Sequence, residues 1–599
     1  MHRLARIEIT NFRSCRQAAL VLDDFTPIVG YNNAGKSNIL TAIEWLIESA
    51  ALAAADFYDP TQTLRVTGAV AGISQALLDV MPTNQRNAIT PYLVNGTLQF
   101  RRSMTQPGSA ATAKLEVRDP AVQDELSADS WKPSPTGIPQ ALKALFPDVI
   151  RIRAMQNAAD DVGKFGKSNT LGKLIAEIIE PVRQAHEAHL AQALSLIASK
   201  LSADGDQRAE ELNAFDIGAS TQLAELFPGL QIKLDVPLPE IPDLFKGGTV
   251  RVLETTGGNT ASRTFDSVGH GAQRCIQMAL IRYLAERKAA TQENKRTLLL
   301  IDEPELYLHP QGVEQVRLAL RRLAKGNYQV VFSTHSPLML HREQATHTVV
   351  VRKPSPQHGT VIRKPLAAAV TEAINDAQHQ SRVLFELGKA AEVFFSDRVL
   401  LNEGKTEQRL LPLLYEIMMG RTASSDRIGI LPMDGSGNIA GALRVLASME
   451  IDSKAVADLD FAFVQAAKAG LIDRENDQGV VAAKALLATL QTKFCFPLGP
   501  NGLPFTDKKT GWLAADVWAR FALDSDGAKI VETQRQKMLA HGIWVWAAGT
   551  IEDVLGVREK GEQAIQGLEQ QISSLGAEHL IAQFPAIKEF FDWVRAPSI

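Results

Sequence analysis

Apolar and polar positions alternate near the start of the chain, around Leu4, Ile7 and Ile9, and a second apolar run from Phe25 to Val29 stops at Gly30. This is the two-residue rhythm of strands, and it places a loop at Gly30. From Ile39 to Ala50 the rhythm changes, because Leu40, Ile43, Leu46 and Ile47 recur at steps of three and four, the mark of an amphipathic helix. Between Leu171 and Leu201 the apolar positions Leu171, Ile175, Ile178, Val182 and Ala185, then Leu190, Leu194, Ile197 and Leu201, approach a heptad on each side of a break in phase. A long helix kinked at Pro181 is expected there. Such a seam serves either a dimerisation arm or one helix of a bundle, and the arm is the preferred expectation. Residues 202–208 read as a polar connector and 353–358 as a proline-containing loop. After residue 390 the short β-rich runs Arg398–Leu401, Ile428–Leu431, Ala455–Phe463 and Ile543–Trp546 are separated by helical stretches, which predicts a second domain built on a parallel sheet.

Composition narrows the class. A chain of 599 residues corresponds to about four domain-sized units, and 45% hydrophobic with 22% charged residues excludes a disordered chain. Lys and Arg number 63 against 67 Asp and Glu, a net charge of −4, so any nucleic-acid partner must be met by local basic surface and not by bulk charge. Cys15, Cys275 and Cys495 are too few and too scattered for a zinc cluster or a disulfide framework, which suits a reducing cytoplasm. No apolar run reaches the ~18–20 residues of a membrane span, so a soluble, cytoplasmic protein with no membrane partner is expected.

The loop at Gly30 carries chemistry. Gly30-Tyr31-Asn32-Asn33-Ala34-Gly35-Lys36-Ser37 fits the G-x-x-x-x-G-K-S phosphate loop, after a strand and before a helix as its mechanism requires. Its backbone N–H groups would wrap phosphates, with Lys36 at the β and γ oxygens and Ser37 on Mg²⁺. Asn32, Asn33, Gly35 and Asn38 are further nucleotide-contact candidates. The apolar run Leu298–Ile301 ends in Asp302 and Glu303, where α/β sheets bind ligands, so Asp302 is expected in the Mg²⁺ shell and Glu303 on the attacking water. Thirty residues on, the run Gln329–Thr334 leads to His335, a candidate γ-phosphate sensor. Upstream, Ser267, Gly269 and Gly271 precede a helix expected over Ile276–Leu284 and could offer donors to a phosphate.

A second set of acids lies in the C-terminal third. Glu403 ends one apolar run and Glu407 follows four residues later, on the same side of a helix start. Asp458 and Asp460 end another run. If the strand continued through them, they would point to opposite faces, and only one would be a full ligand. Glu552 follows the run Ile543–Trp546. Three acidic clusters at successive strand ends imply a site for a hard cation, Mg²⁺ or Mn²⁺.

In this order, the phosphate loop, the Ser267–Gly271 segment, the Asp302–Glu303 strand end and the stretch Glu305–Pro310 closely resemble the motifs of ABC-type ATPases, and Ile7–Ser14 resembles the opening of their RecF/SMC branch. The acids resemble a Toprim domain, with Glu403 and Glu407 in its first motif and Asp458 and Asp460 in its D-x-D motif. The combined layout is similar to the OLD (overcoming lysogenization defect) family nucleases, relatives of Gabija and retron-associated effectors. The resemblance implies an α/β fold: an ABC-type ATPase head in two parts (1–165 and 236–392), an inserted helical dimerisation arm (166–235) and a C-terminal Toprim domain (393–599). It implies ATP and Mg²⁺ or Mn²⁺ as cofactors and DNA as substrate. Two heads would sandwich ATP in a homodimer or higher oligomer, the Ser267–Gly271 segment serving the opposite protomer, and a defence partner, protein or RNA, is compatible with it. Glu552 matches a further metal ligand of the family and Lys560 loosely matches its catalytic lysine; Gln156 and Gln99 are both candidates for the Q-loop glutamine. The expected activity is ATP-controlled DNA endonucleolysis in antiphage defence, with the direction of control open. The alternative is a RecF/SMC-like DNA-binding ATPase whose Toprim domain serves assembly.

Overall fold

The computed structural model describes residues 1–124, 128–146, 149–154, 170–244, 250–256, 259–291, 296–340, 347–375, 383, 391–473, 475–557 and 562–597. Residues 3–362 hold two sheets. One is antiparallel and comprises β1 (Arg3–Phe12), β2 (Cys15–Val21), β4 (Leu64–Ala71), β5 (Leu93–Val94), β6 (Thr97–Met104), β7 (Lys114–Arg118) and β8 (Trp131–Pro133), in the order β2-β1-β4-β6-β7-β8 with β5 on β6. The other, of order β15-β14-β3-β13-β12-β9, comprises β3 (Phe25–Val29), β9 (Val149–Ile152), β12 (Thr297–Asp302), β13 (Tyr328–Thr334), β14 (Val349–Arg352) and β15 (Val361–Ile362), and it is parallel apart from β15. A separate hairpin pairs β10 (Arg251–Thr256) with β11 (Asn259–Thr264).

Every residue of β12 and β13 is buried, as strands covered on both faces require, and this explains their unbroken apolar runs. The helix Lys36–Ile47 lies between the two sheets: Ile39, Leu40, Ile43 and Leu46 share one core with Leu4, Ile7 and Ile9 of β1 and with Leu298 and Leu300 of β12. It begins three residues before the apolar periodicity does, because Lys36, Ser37 and Asn38 are polar and leave no apolar mark. A helix spans Thr170–Leu201 with Pro181 inside it, and a second runs over Glu210–Leu226.

The C-terminal domain is a four-stranded parallel sheet, β16 (Arg398–Asn402), β17 (Ile428–Pro432), β18 (Asp452–Ala457) and β19 (Ile543–Val545), in the order β17-β16-β18-β19. The expectation of a strand over Ala455–Phe463 is corrected: β18 stops at Ala457, and Leu459–Ala462 forms a 3-10 turn. The helix expected over Ile276–Leu284 is longer, His270–Thr291. One core runs from the parallel sheet of β3 and β14 into the C-terminal domain, joining Val29 and Val350 to Val399, Leu401 and Leu431. No helix among the described residues is long and apolar enough to cross a membrane.

Candidate functional site

The first site forms where β3, β13 and β12 end side by side, since Val29 pairs with Thr334 and Ser333 with Asp302. Gly35 caps the helix Lys36–Ile47 at φ 108°, and a Cβ there would meet Oγ1 of Thr360 at 2.1 Å, so the loop can close only with glycine. No side chain caps this helix and its first turn has no acid, which leaves its N–H groups and positive end to an anion. Lys36 is buried beneath the loop: Nζ donates to the carbonyls of Gly30 and Tyr31 at 3.0 and 3.1 Å and stands 2.6 Å from Nε2 of His335. Burial holds its pKa down at about 8, against the pull of Glu303, Asp302 and Glu305.

Asp302 is gripped from three sides. Ser37 Oγ and Ser333 Oγ donate to Oδ1 at 3.0 and 2.8 Å, and the buried Arg151 donates to Oδ2 at 2.5 Å. Glu303 follows with φ 46° and lies 3.4 Å from Nε2 of His335, whose hydrogen bond lowers the Glu303 pKa. A lysine, a serine hydroxyl, an acid held for a cation and an acid beside an imidazole thus face one loop. This set can bind a nucleotide triphosphate with a divalent ion and orient a water on it.

The second site forms at the ends of β16 and β18. Glu403 follows β16, Glu407 sits buried in the first turn of the helix Lys405–Met419, and Asp458 and Asp460 follow β18. Because β18 has ended before them, these two aspartates escape the strand alternation that would have divided them between faces. The backbone N–H of Asp458 donates to Glu403 Oε2 at 3.4 Å, and that of Leu459 to the carbonyl of Gly549, drawing in the helix Ile551–Leu555 with Glu552. The carboxylates feel one another. Burial, then Glu403, Glu407, Asp460 and Glu552, push Asp458 up to about 9; burial, then Glu552 and Glu403, push Glu407 up to about 7; burial and Asp460 raise Glu403. Oδ1 of Asp458 is sealed from solvent and accepts no hydrogen bond.

Among the described residues no three acids, histidines or cysteines are drawn close enough to form a coordination shell as they stand. The donor set nonetheless suits a hard divalent cation: it is all oxygen, it repels itself at neutral pH, and it includes an acceptor with nothing to accept.

Comparison with known proteins finds relatives of both halves of the chain. A profile described as "AAA ATPase domain" matches residues 3–88 and 113–340, and one described as "Overcoming lysogenization defect protein-like, TOPRIM domain" matches residues 394–460. The Old nuclease of Escherichia phage P2 is 33% identical over 595 residues, 99% of this chain and 100% of its own. The chain belongs to the OLD nuclease family. The OLD nuclease of Thermus scotoductus is 23% identical over 479 residues, 76% of this chain and 82% of that one, and endonuclease GajA of Bacillus cereus is 30% identical over 151 residues, 25% of this chain and 24% of its own.

Within this OLD nuclease chain the other expected residues fall as follows. Asn32 and Asn33 are exposed on the phosphate loop, Asn33 at φ 65°. Asn38 donates to Ser14 Oγ at 2.7 Å, tying the helix start to the β1–β2 turn. The Ser267–Gly271 segment packs on the stretch after β12: a Cβ on Gly271 would meet the carbonyl of Tyr307 at 2.8 Å, and Arg274 donates to the carbonyls of Asp302 and Glu303. Ser267 Oγ donates to the carbonyl of Thr264, and Gly269 is open to space. Gln99 sits mid-strand in β6 of the antiparallel sheet. Gln156 and Lys560 lie outside the described residues.

The sequence reading missed Arg151, Ser333 and Glu305. Glu305 is half-buried, its Oε1 accepting from Thr334 Oγ1 and the His335 N–H at 2.7 and 2.8 Å, so it fixes the end of β13. Arg151 had a readable signal, since an arginine inside the apolar strand Val149–Ile152 needs a buried acid. Asp553, beside Glu552, is spent on capping: its Oδ2 accepts from the N–H and Oγ1 of Thr550.

Proposed function

We propose that this OLD-family protein is an ATP-binding and ATP-hydrolysing, Mg²⁺- or Mn²⁺-dependent DNA endonuclease of antiphage defence, in which nucleotide state controls the second site. The observation that carries the reading is the grouping at the strand ends of Glu403, Glu407 and Asp458, whose carboxyls are raised by burial and by one another, with Asp460 and Glu552 near enough to add to that push. Bound divalent ions would supply charge neutralisation and water activation for phosphodiester hydrolysis. The chain's own part is to hold them: Glu403 and Asp458 as central ligands, Glu407, Asp460 and Glu552 around them, with Lys560 as the cation for the leaving oxygen. At the first site Lys36 and the loop N–H groups would take the phosphates of ATP, Ser37 and Asp302 the Mg²⁺, and Glu303 with His335 the attacking water and γ-phosphate.

A homodimer is the favoured assembly. The helix Glu210–Leu226 buries none of its residues, and Phe215, Ile217, Leu226 and Phe227 are each at least half exposed, with Leu196 and Ile197 on the preceding helix also open. A second copy of the chain would cover this apolar surface, as the RecF/SMC resemblance implies.

Purified protein incubated with supercoiled plasmid and Mg²⁺ or Mn²⁺, with and without ATP, should nick or cut it. Glu403→Ala and Asp458→Ala should abolish cleavage and keep ATP binding. Equal cleavage by those variants would reject the reading.

A further inference from the structure

Tyr31, the second residue of the phosphate loop, touches the C-terminal domain. Its carbonyl holds Lys36 Nζ at 3.1 Å, its hydroxyl bonds to the backbone of Lys353, and its ring lies under the guanidinium of Arg427 at 5.1 Å, with that of Arg352 at 5.9 Å. Arg427 belongs to the second domain. It immediately precedes β17, sits at φ 56°, and its carbonyl accepts from the N–H groups of Asp397 and Arg398, so it joins the start of the edge strand β17 to the start of its neighbour β16. Its Nη1 also donates to Asp397 Oδ2 at 3.0 Å, and Arg352 ties the same stretch to β14 by donating to the carbonyls of Phe394 and Ser396.

The far ends of these two strands are at the acid cluster. Residues 398–402 pair in register with 428–432. Beyond the ladder, Met433 N donates to the Asn402 carbonyl and Gly435 N to the Glu403 carbonyl, both at 3.0 Å, and Ser436 hydrogen-bonds the Glu403 carboxylate. Five residues of strand span about 16 Å. A hydrogen-bonded pair of strands of that length moves as a rigid piece, so a shift at Arg427 reaches the 433–436 loop.

The phosphate loop has a reason to shift. Lys36 now bonds to the carbonyls of Gly30 and Tyr31, and a nucleotide's phosphates would draw Nζ away from both, freeing the Tyr31 backbone on which the ring and Arg427 rest.

We infer that Arg427 is a positioning residue of the nuclease site: through β17 and the 433–436 loop it sets the placement of Glu403 according to where the nucleotide leaves Tyr31. This rests on the two-site reading given above and names the route by which one site governs the other.

The test is hydrogen exchange on the full-length protein with Mg²⁺, with and without a non-hydrolysable ATP analogue, run beside plasmid cleavage. In the wild type, exchange over Ile428–Pro432 and Met433–Ser436 should change on adding the analogue, and cleavage should change by about fivefold or more in either direction. Arg427→Ala should bind the analogue as the wild type does, show no exchange response over 428–436, and cut at rates within about twofold of each other with and without it. Arg427→Lys, which keeps a cation over the ring, should restore part of the response and guards against a folding defect in the alanine variant. An unchanged exchange response in Arg427→Ala, or a wild-type 428–436 segment indifferent to the analogue, overturns the inference. A wild type whose exchange responds through Arg427 while its cleavage ignores nucleotide upholds the route and rejects nucleotide control of cutting. The same exchange response in a protein that cuts no DNA upholds the route and rejects the nuclease reading.

Discussion

Asp458 offers the sharpest energetic test of the acid cluster. Its carboxyl is raised from an ordinary 3.8 to about 9 by burial and by four neighbouring carboxylates. At pH 7 the unfolded chain holds it ionised while the metal-free fold demands a proton. At 1.36 kcal/mol per unit over about three units the penalty is about 4 kcal/mol, and the group's remaining exposure to solvent brings it nearer ~2 kcal/mol. Below its ordinary pKa the group is protonated in both states and nothing is lost; the penalty grows as pH rises from there towards the folded value, so the metal-free protein loses stability across that window. Asp458→Asn removes the charge with little change in shape. In EDTA at pH 8 the C-terminal transition of the variant should therefore melt roughly 4–8 °C above the wild type, from ~2 kcal/mol on a domain of this size, and the gap should shrink at pH 5. Scanning calorimetry at the two pH values, with and without Mn²⁺, measures this; Mn²⁺ should raise the wild type and leave the variant nearly unmoved. A variant that melts below the wild type at pH 8, or a gap independent of pH, would refute the claim that repelling, desolvated acids are held in wait for a cation.

Further outcomes bear on the first site and the assembly. Lys36→Met should lose tight ATP binding by calorimetric titration while keeping the Mn²⁺-induced rise in melting temperature, because the two sites use separate residues. Arg151→Met leaves Asp302 buried without its cation and should cost about 3 kcal/mol of stability, seen as a lower first melting transition that Mg²⁺ with ATP partly restores. Leu196→Glu combined with Ile197→Glu should convert a dimer into a 65.2 kDa monomer by light scattering, and an unchanged mass would place the dimer contact elsewhere.

The legible parts of this fold were those whose residues face one environment throughout. The strands at Phe25–Val29 and Leu298–Asp302 are covered on both sides and read as apolar runs, and the glycines at 30 and 35 mark a loop that other residues cannot close. The antiparallel sheet through β4 to β8 was not read, because its strands mix polar with apolar residues and are set by pairing across the sheet, as where Arg101 meets Glu116 across β6 and β7. The boundary at Asp458 was read too late for a local reason: Leu459, Phe461 and Phe463 keep an alternating apolar pattern through a 3-10 turn, which mimics a strand. Residues that matter only through a distant partner left no signal. Arg427 and Tyr31 are 396 positions apart, and neither marks the other in sequence.

The central claim, that five acids gather to hold divalent ions, is tested most directly by crystals of the protein soaked in Mn²⁺ and measured for anomalous scattering. The expected map has manganese among Glu403, Glu407, Asp458, Asp460 and Glu552, and loses it in Glu403→Gln. A map with no manganese at these side chains, from crystals that bind it elsewhere, would contradict the account.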